Sequence, residues 1–213
     1  MSIPGRRGLD PFVDYSSHDG NFPSHRSGVS DGVDMKYSVI YADPPWKFKS
    51  WSKKGEGRSA IRHYDVMTLD EIKAVSPVDH AAKDSVLFLW AIDPLLDRAF
   101  EVITAWGFTY KTVAFDWAKC SVKGPESNIW PIGGGYWTRA NAEKCLLATR
   151  GKPKRLNADV RQLIVEPRRE HSRKPDRVNG DIERLVAGPY LEMFARHRRP
   201  GWDAWGDEVG TFG

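Results

Sequence analysis

Short apolar, β-branched runs that alternate with amphipathic helical patterns constrain this chain more than any other feature. "YSVIYA" (Tyr37 to Ala42) is the first such run, and its length and Val/Ile content predict a buried strand. Runs over 85–91, 111–118, 144–151, 162–167 and 190–195 read the same way. Between them lie helical patterns. "TLDEIKAV" opens with Thr68 as N-cap and Glu71 three residues on, which is a capping box. "PLLDRAFEVITAWG" places Leu96, Ala99, Phe100 and Ile103 on one stripe and stops at Gly107. "KPDRVNGDIERLVAG" begins with Pro175 in the first turn and ends at Gly188, with Gly180 inside it. Strands that alternate with helices require right-handed crossovers, so the expected class is α/β, a mostly parallel sheet with helices on both faces.

At 213 residues the chain fits one domain with a tail. Residues 1–35 are rich in Gly, Ser, Asp, His and Pro without apolar periodicity and read as a flexible arm, leaving a domain over 36–213. "MSIPGRRGLDPF" lacks the apolar core of a signal peptide, and no apolar run reaches the ~20 residues of a membrane helix, so a cytoplasmic protein without membrane contact is expected. Cys120 and Cys145 have no CxxC spacing, which argues against a metal site and a disulfide framework. Net charge is +4, and it is clustered: Arg150 to Arg177 holds ten Lys or Arg against four Asp or Glu. A solvated basic face and a polyanion-binding face both account for that run.

In open α/β sheets ligands bind at the carboxyl ends of strands, and "DPPW" follows "YSVIYA" directly. Asp followed by Pro is an ordinary turn opener. Here, however, two consecutive prolines bring no backbone N–H, so their carbonyls are expected to face a cleft without a competing donor. Asp43 adds an anionic acceptor, and Trp46 offers a flat face for a heterocycle, worth ~1–3 kcal/mol per stacked base. An acceptor pair beside an aromatic plate suits a planar molecule with an exocyclic amine. Adenine's amine is a poor nucleophile because its lone pair is delocalised; accepting both N–H groups on Asp43 and the Pro44 carbonyl favours a pyramidal nitrogen able to attack a methyl group.

"DPPW", followed in order by "HYDVMTLDEI", "VLFLWA", "GGGYWTRANAEKCLLATRG", "HSRKPD", "IERL" and "YLEMFARHRRPGWDAWGDEV", resembles the adenine-N6 methyltransferase family that includes the catalytic subunit of the messenger-RNA adenosine methylase, in its bacterial and phage branch. The similarity runs from about 38 to 210. The resemblance implies a Rossmann-like methyltransferase fold using S-adenosyl-L-methionine, with the catalytic motif N-terminal to the donor-binding segment. It also implies the roles. Asp43, Pro44, Pro45 and Trp46 form the catalytic motif. Tyr64 and Glu143 line the adenine pocket, and Lys174 sits near the junction of donor and target base. Glu192 and Arg196 hold the donor's ribose and amino-acid part. Asp207 and Glu208 of "WGDEV" contact donor hydroxyls, although relatives carry an amide where Asp207 stands. Arg198 and Arg199 are basic residues near donor or nucleic acid.

The loop "IGGGYWTRANAEKC" supplies Trp137 for stacking and Arg139 for phosphate, while a plainer account of Trp137 is a loop anchor. "KFKSWSKKGEGR", with Trp51, resembles a flap over the target base. With the basic run it argues for nucleic acid as the partner, DNA ahead of RNA. RNA methylation and an inactive nucleic-acid-binding subunit are the alternatives, and monomer and homodimer both remain open.

Overall fold

The computed structural model describes residues 36–48, 66–131, 133, 137–169 and 173–206. The expected arm over 1–35, the flap with Trp51, and Tyr64, Asp207 and Glu208 all lie outside the described residues.

Strand β1 (Tyr37–Ala42) lies within a seven-stranded sheet and shows why its sequence is apolar or aromatic except at half-buried Ser38. Val39 and Tyr41 point into one core layer, and Ile40 and Ala42 into the other. A strand covered on both faces has no side from which a polar residue reaches water. The other strands are β2 (Ala81–Ala91), β3 (Thr109–Cys120), β4 (Ala142–Arg150), β5 (Leu163–Pro167), β6 (Tyr190–Met193) and β7 (Trp202–Trp205). Their order is β5-β3-β4-β2-β1-β6-β7. β1 pairs in parallel with β2 and β6, β3 with β5, and β6 with β7.

The mostly parallel sheet is thus present, with one exception. β4 runs antiparallel to both β2 and β3. A parallel return needs a crossover element, and the described part of the 121–141 connection holds only one 3₁₀ turn, Pro125–Ser127. β4 therefore folds straight back into the gap between β2 and β3. β7 was not expected as a strand, because "WDAW" is too short to show a period.

Helix α1 (Leu69–Ala74) carries the predicted capping box: the Thr68 amide donates to Glu71 Oε2 at 2.6 Å and the Glu71 amide to Thr68 Oγ1 at 3.3 Å. Helix α2 (Leu96–Ala105) buries Ala99, Val102 and Ile103, so its inward stripe is rotated from the expected one. Phe100 stays at the surface, edge-on to Tyr110 with ring centroids 4.9 Å apart. Trp106 follows the helix, and its indole N–H donates to the Ile72 carbonyl at 3.0 Å, tying α2 to α1 on one face of the sheet. Helix α3 (Arg177–Leu185) buries Val178 and Ile182 on the other face. Pro175 precedes its N-cap Asp176 rather than sitting in its first turn. Gly180 is exposed with open space around it, which is how the helix tolerates it. Both cysteines are buried free thiols. Among the described residues no helix is long and apolar enough to cross a membrane.

The registers bring one set of ends together. Ala42 is level with Leu89 and Met193, Ala91 with Lys144, and Ala118 with Ala142. The carboxyl ends of β1, β2, β3 and β6 and the start of β4 therefore share one rim of the sheet.

Candidate active site

Asp43 leaves the end of β1 on that rim with its side chain 26% exposed, and its Oδ2 accepts a hydrogen bond from Lys174 Nζ at 2.6 Å. The same ammonium lies 3.3 Å from Glu143 Oε2, at the start of β4, and 5.2 Å from the centroid of the Trp90 ring. Glu143 offers its other oxygen, Oε1, to Lys119 Nζ from the end of β3. Four alternating charges from four parts of the chain thus form one connected line. Burial by itself pushes the Lys174 ammonium down, but Asp43 and Glu143 outweigh it and hold the group above its ordinary value. Burial likewise pushes the Glu143 carboxyl up, and Lys174 and Lys119 together hold it below the ordinary range. Both stay ionised near neutral pH.

The proline pair departs from expectation. The Trp46 amide donates to the Pro44 carbonyl at 2.9 Å, and the Met67 amide donates to the Pro45 carbonyl at 2.8 Å. Both carbonyls therefore have a donor: the missing proline N–H groups are replaced by a tight turn and by a bridge to the segment before α1. Pro44 keeps one lone pair for a ligand, as a carbonyl oxygen has two. Trp46 also differs from the expected open plate. It is 7% exposed in the core, and its indole N–H donates to the Trp90 carbonyl at 3.0 Å. A tryptophan bonded at its edge to the end of β2 fixes the corner that carries Asp43.

Glu192 stands in β6 level with Tyr41, and Asn179 of α3 lies at 3.5 Å from its Oε2. Burial raises its carboxyl to about 7, only partly offset by the Arg199 guanidinium and Asn179, while the Asp43 charge adds to the rise. β6 ends at Met193, and Phe194 after it holds φ at 59°, a left-handed conformation that a glycine would take at less cost. Arg196 is half-buried just beyond it. Asp176 is gripped by Arg169, by Arg173 at 2.8 Å and by Arg199 at 3.9 Å, which pins the segment containing Lys174 to the β6–β7 connection. Part of the basic run is structural in the same way: Arg177 pairs with Asp181 at 2.8 Å, and Asp159 within the run takes Arg184 of α3 at 2.5 Å.

The structure thus brings Asp43, Glu143 and Lys174 into direct contact, with Glu192 beside them. Trp137 and Arg139 stand exposed on the connection before β4, Trp137 at 99%. Sequence reasoning missed Lys119, Trp90 and Asn179. The one signal for Lys119 is a lysine near the end of the strand "AFDWAKC", two residues after a tryptophan on the same face.

A profile of the MT-A70 family matches residues 37–208. The chain belongs to the MT-A70 family. Type II methyltransferase M.MunI of a Mycoplasma species is 35% identical over 192 residues, covering 82% of this chain and 78% of its own. The N6-methyladenosine RNA methyltransferase MTA1 of Pyricularia oryzae is 30% identical over 81% of this chain and 47% of its own length. The mouse N(6)-adenine-specific methyltransferase METTL4 is 27% identical over 83% of this chain, which spans 38% of that protein. Family membership agrees with a Rossmann-like sheet of this kind, and MT-A70 methyltransferases generally depend on S-adenosylmethionine.

One consequence can be measured in the ligand-free protein. A carboxyl raised from 4.5 to about 7 binds its proton more tightly in the fold than in the unfolded chain, so stability falls as pH rises through that window. Glu192→Gln removes that loss. Thermal unfolding is expected to give equal midpoints for variant and wild type near pH 4.5 and a variant higher by a few degrees at pH 8. A lower midpoint for the variant at pH 8 would contradict the origin given for the shift.

Proposed function

We propose that this MT-A70 protein transfers a methyl group from S-adenosyl-L-methionine to the N6 amine of adenine in nucleic acid, DNA before RNA. The observation that carries the reading is the Lys174 bridge between Asp43 and Glu143 at the carboxyl end of β1.

Among the described residues Asp43 Oδ2 is taken by Lys174, and Oδ1 carries no hydrogen bond. Oδ1 and the spare lone pair of the Pro44 carbonyl are the two acceptors for the amine hydrogens. Accepting both draws the nitrogen out of conjugation with the ring and frees its lone pair. The Asp43 carboxylate is then the group that holds the proton the amine gives up. Lys174, with its positive charge fixed by two carboxylates, orients Asp43 so that only one oxygen is left for substrate. Trp46 keeps the corner rigid from beneath instead of stacking on the base. Exposed Trp137 and Arg139 suit the displaced strand, the one by stacking and the other by phosphate contact. The target base must leave its stack to reach Asp43.

The residues fit the donor. Glu192, half-buried with Asn179 as a hydrogen-bond partner and the Arg199 charge acting on it, supplies an acceptor for ribose hydroxyls, and Arg196 is assigned to the donor side by the family likeness. The donor supplies, when bound, a methyl group on a positively charged sulfur. Asp207 and Glu208, outside the described residues, are assigned to donor hydroxyls on the family likeness alone.

The likeness to a Type II methyltransferase over most of both chains favours DNA, and the likeness to MTA1 keeps RNA as the second reading. Labelled donor offered with DNA and RNA oligonucleotides of matched sequence is expected to put label on adenine in DNA at a rate at least ten times that in RNA. Label in RNA alone reverses the order of the two, and label in neither overturns the activity.

A further inference from the structure

We propose that Lys119 is a positioning residue for the reaction: through Glu143 it fixes Lys174, and through Lys174 it fixes the Asp43 carboxylate. The inference rests on the functional reading above for its catalytic consequence, but not for its physical content.

The geometry is a chain of contacts with no gap. Lys119 Nζ binds Glu143 Oε1, Glu143 Oε2 lies 3.3 Å from Lys174 Nζ, and Lys174 Nζ donates to Asp43 Oδ2 at 2.6 Å. Each residue in the middle spends one atom or one direction on each neighbour. Glu143 has two oxygens on opposite sides, so a lysine on one side determines which oxygen faces Lys174 and at what angle. The antiparallel pairing of β3 and β4 makes the first contact. Trp117 is level with Glu143, the Lys119 amide donates to the Asn141 carbonyl at 2.9 Å, and Nζ lies 4.9 Å from the centroid of the Trp117 ring. The lysine stem is thereby fixed at both ends, and its ammonium is held over an aromatic face as Lys174 is held over Trp90. Lys119 and Glu143 are 24% and 20% exposed, so solvent does not screen the pair as it would at the surface.

Charge balance gives the reason for a second lysine. The charged groups facing Glu143 are Lys119 from β3, Lys174 from the segment before α3 and, across Lys174, Asp43 from the end of β1. With Lys174 alone, two carboxylates would share one cation, and Glu143 would compete with Asp43 for it. Lys119 supplies the second cation, which leaves Lys174 closer to Asp43 than to Glu143, as observed. If Lys119 is lost, Glu143 is expected to draw Lys174 away from Asp43 or to take up a proton at a higher pH than in the wild type. The first event frees Asp43 Oδ2, the wrong oxygen, and the second removes the anion that fixes Lys174 from the Glu143 side.

The test compares Lys119→Gln, which removes the charge, with Lys119→Arg, which keeps it. The Glu143 carboxyl is titrated by ¹³C NMR in the intact protein, and kcat/KM for methyl transfer is measured against pH. Glu143 is expected to titrate about one pH unit or more higher in Lys119→Gln, the range set by one close opposite charge. The acid limb of the pH profile should move up with it, kcat should fall at least ten-fold with KM changed less, and Lys119→Arg should restore both. An unmoved Glu143 titration overturns the coupling. A moved titration with unchanged kcat overturns the positioning role, and so does a loss of kcat with no shift of the pH profile, since a merely structural lysine would act that way. If the wild type methylates neither DNA nor RNA, the functional reading fails while the NMR titration still decides the coupling. Should Lys119→Gln unfold, Lys119→Met keeps the apolar stem over Trp117 and carries the same two measurements.

Discussion

Asp43→Ala is expected to lower methyl transfer by about 10²- to 10⁴-fold, the span that a positioned proton acceptor contributes, while leaving a folded protein that still binds the donor. The fold should survive because Lys174 retains Glu143 as a partner, and the corner itself is held by backbone and indole bonds that do not involve Asp43. Trp46 remains anchored to the Trp90 carbonyl, and the Pro45 carbonyl to Met67. Asp43→Asn separates shape from charge. It keeps one acceptor for the amine but leaves Lys174 with Glu143 as its anion in this line of charges, so its rate should lie between wild type and alanine. Steady-state transfer of labelled methyl groups to a DNA oligonucleotide, with circular dichroism as the fold control, measures both. Full activity in the alanine variant would falsify the role assigned to this carboxylate.

How far the site could be read beforehand depends on what kind of signal each residue leaves. Asp43 and Lys174 sit in segments whose composition is unusual for their place, an acid and two prolines at a strand end and a lysine just ahead of a helix, whereas Glu143 is picked out by the family resemblance. Those departures from local preference are legible without a structure. The α/β class was legible too, because strand and helix periods differ, and so was the capping box at Thr68 and Glu71. Other features depend on contacts between segments distant in the chain. That Trp46 is a core residue follows from its indole bond to Trp90, and that the proline carbonyls have donors follows from a turn and a bridge to Met67. The direction of β4 depends on a connection without a crossover helix. Phe100 lies outside the α2 core because the face of that helix is set by where α1 and Trp106 lie, which a period of 3.6 leaves undetermined by one position. Lys119 was hidden because a single lysine near a strand end resembles a surface residue until its partner, 24 positions later, is brought level with it.

Lys174→Met is expected to have the largest effect on stability as well as on rate. The Lys174 side chain is 12% exposed and its ammonium serves two carboxylates, so its removal leaves Asp43 without its donor and Glu143 with Lys119 alone. Breaking a buried ion pair by deleting one partner costs about 3–5 kcal/mol; with Asp43 a quarter exposed the lower end applies, which for a chain of this size is a drop of roughly 6–12 °C in Tm. The pH dependence separates this cause from lost packing. In the wild type Lys174 is raised, so its contribution is complete below its ordinary value of 10.5 and is lost as pH climbs through the folded value. Glu143 is depressed, so its contribution is complete above 4.5 and is lost as pH falls through the folded value. Between those limits the wild type should be insensitive to this pair. In the variant, ionised carboxylates face each other without the cation between them, and protonation relieves that, so its deficit against wild type should shrink as pH falls from 8 toward 5. Thermal unfolding at pH 5, 6.5 and 8 reads the trend. A deficit that stays constant across that range would assign the loss to the side chain's packing over Trp90 and not to its charge.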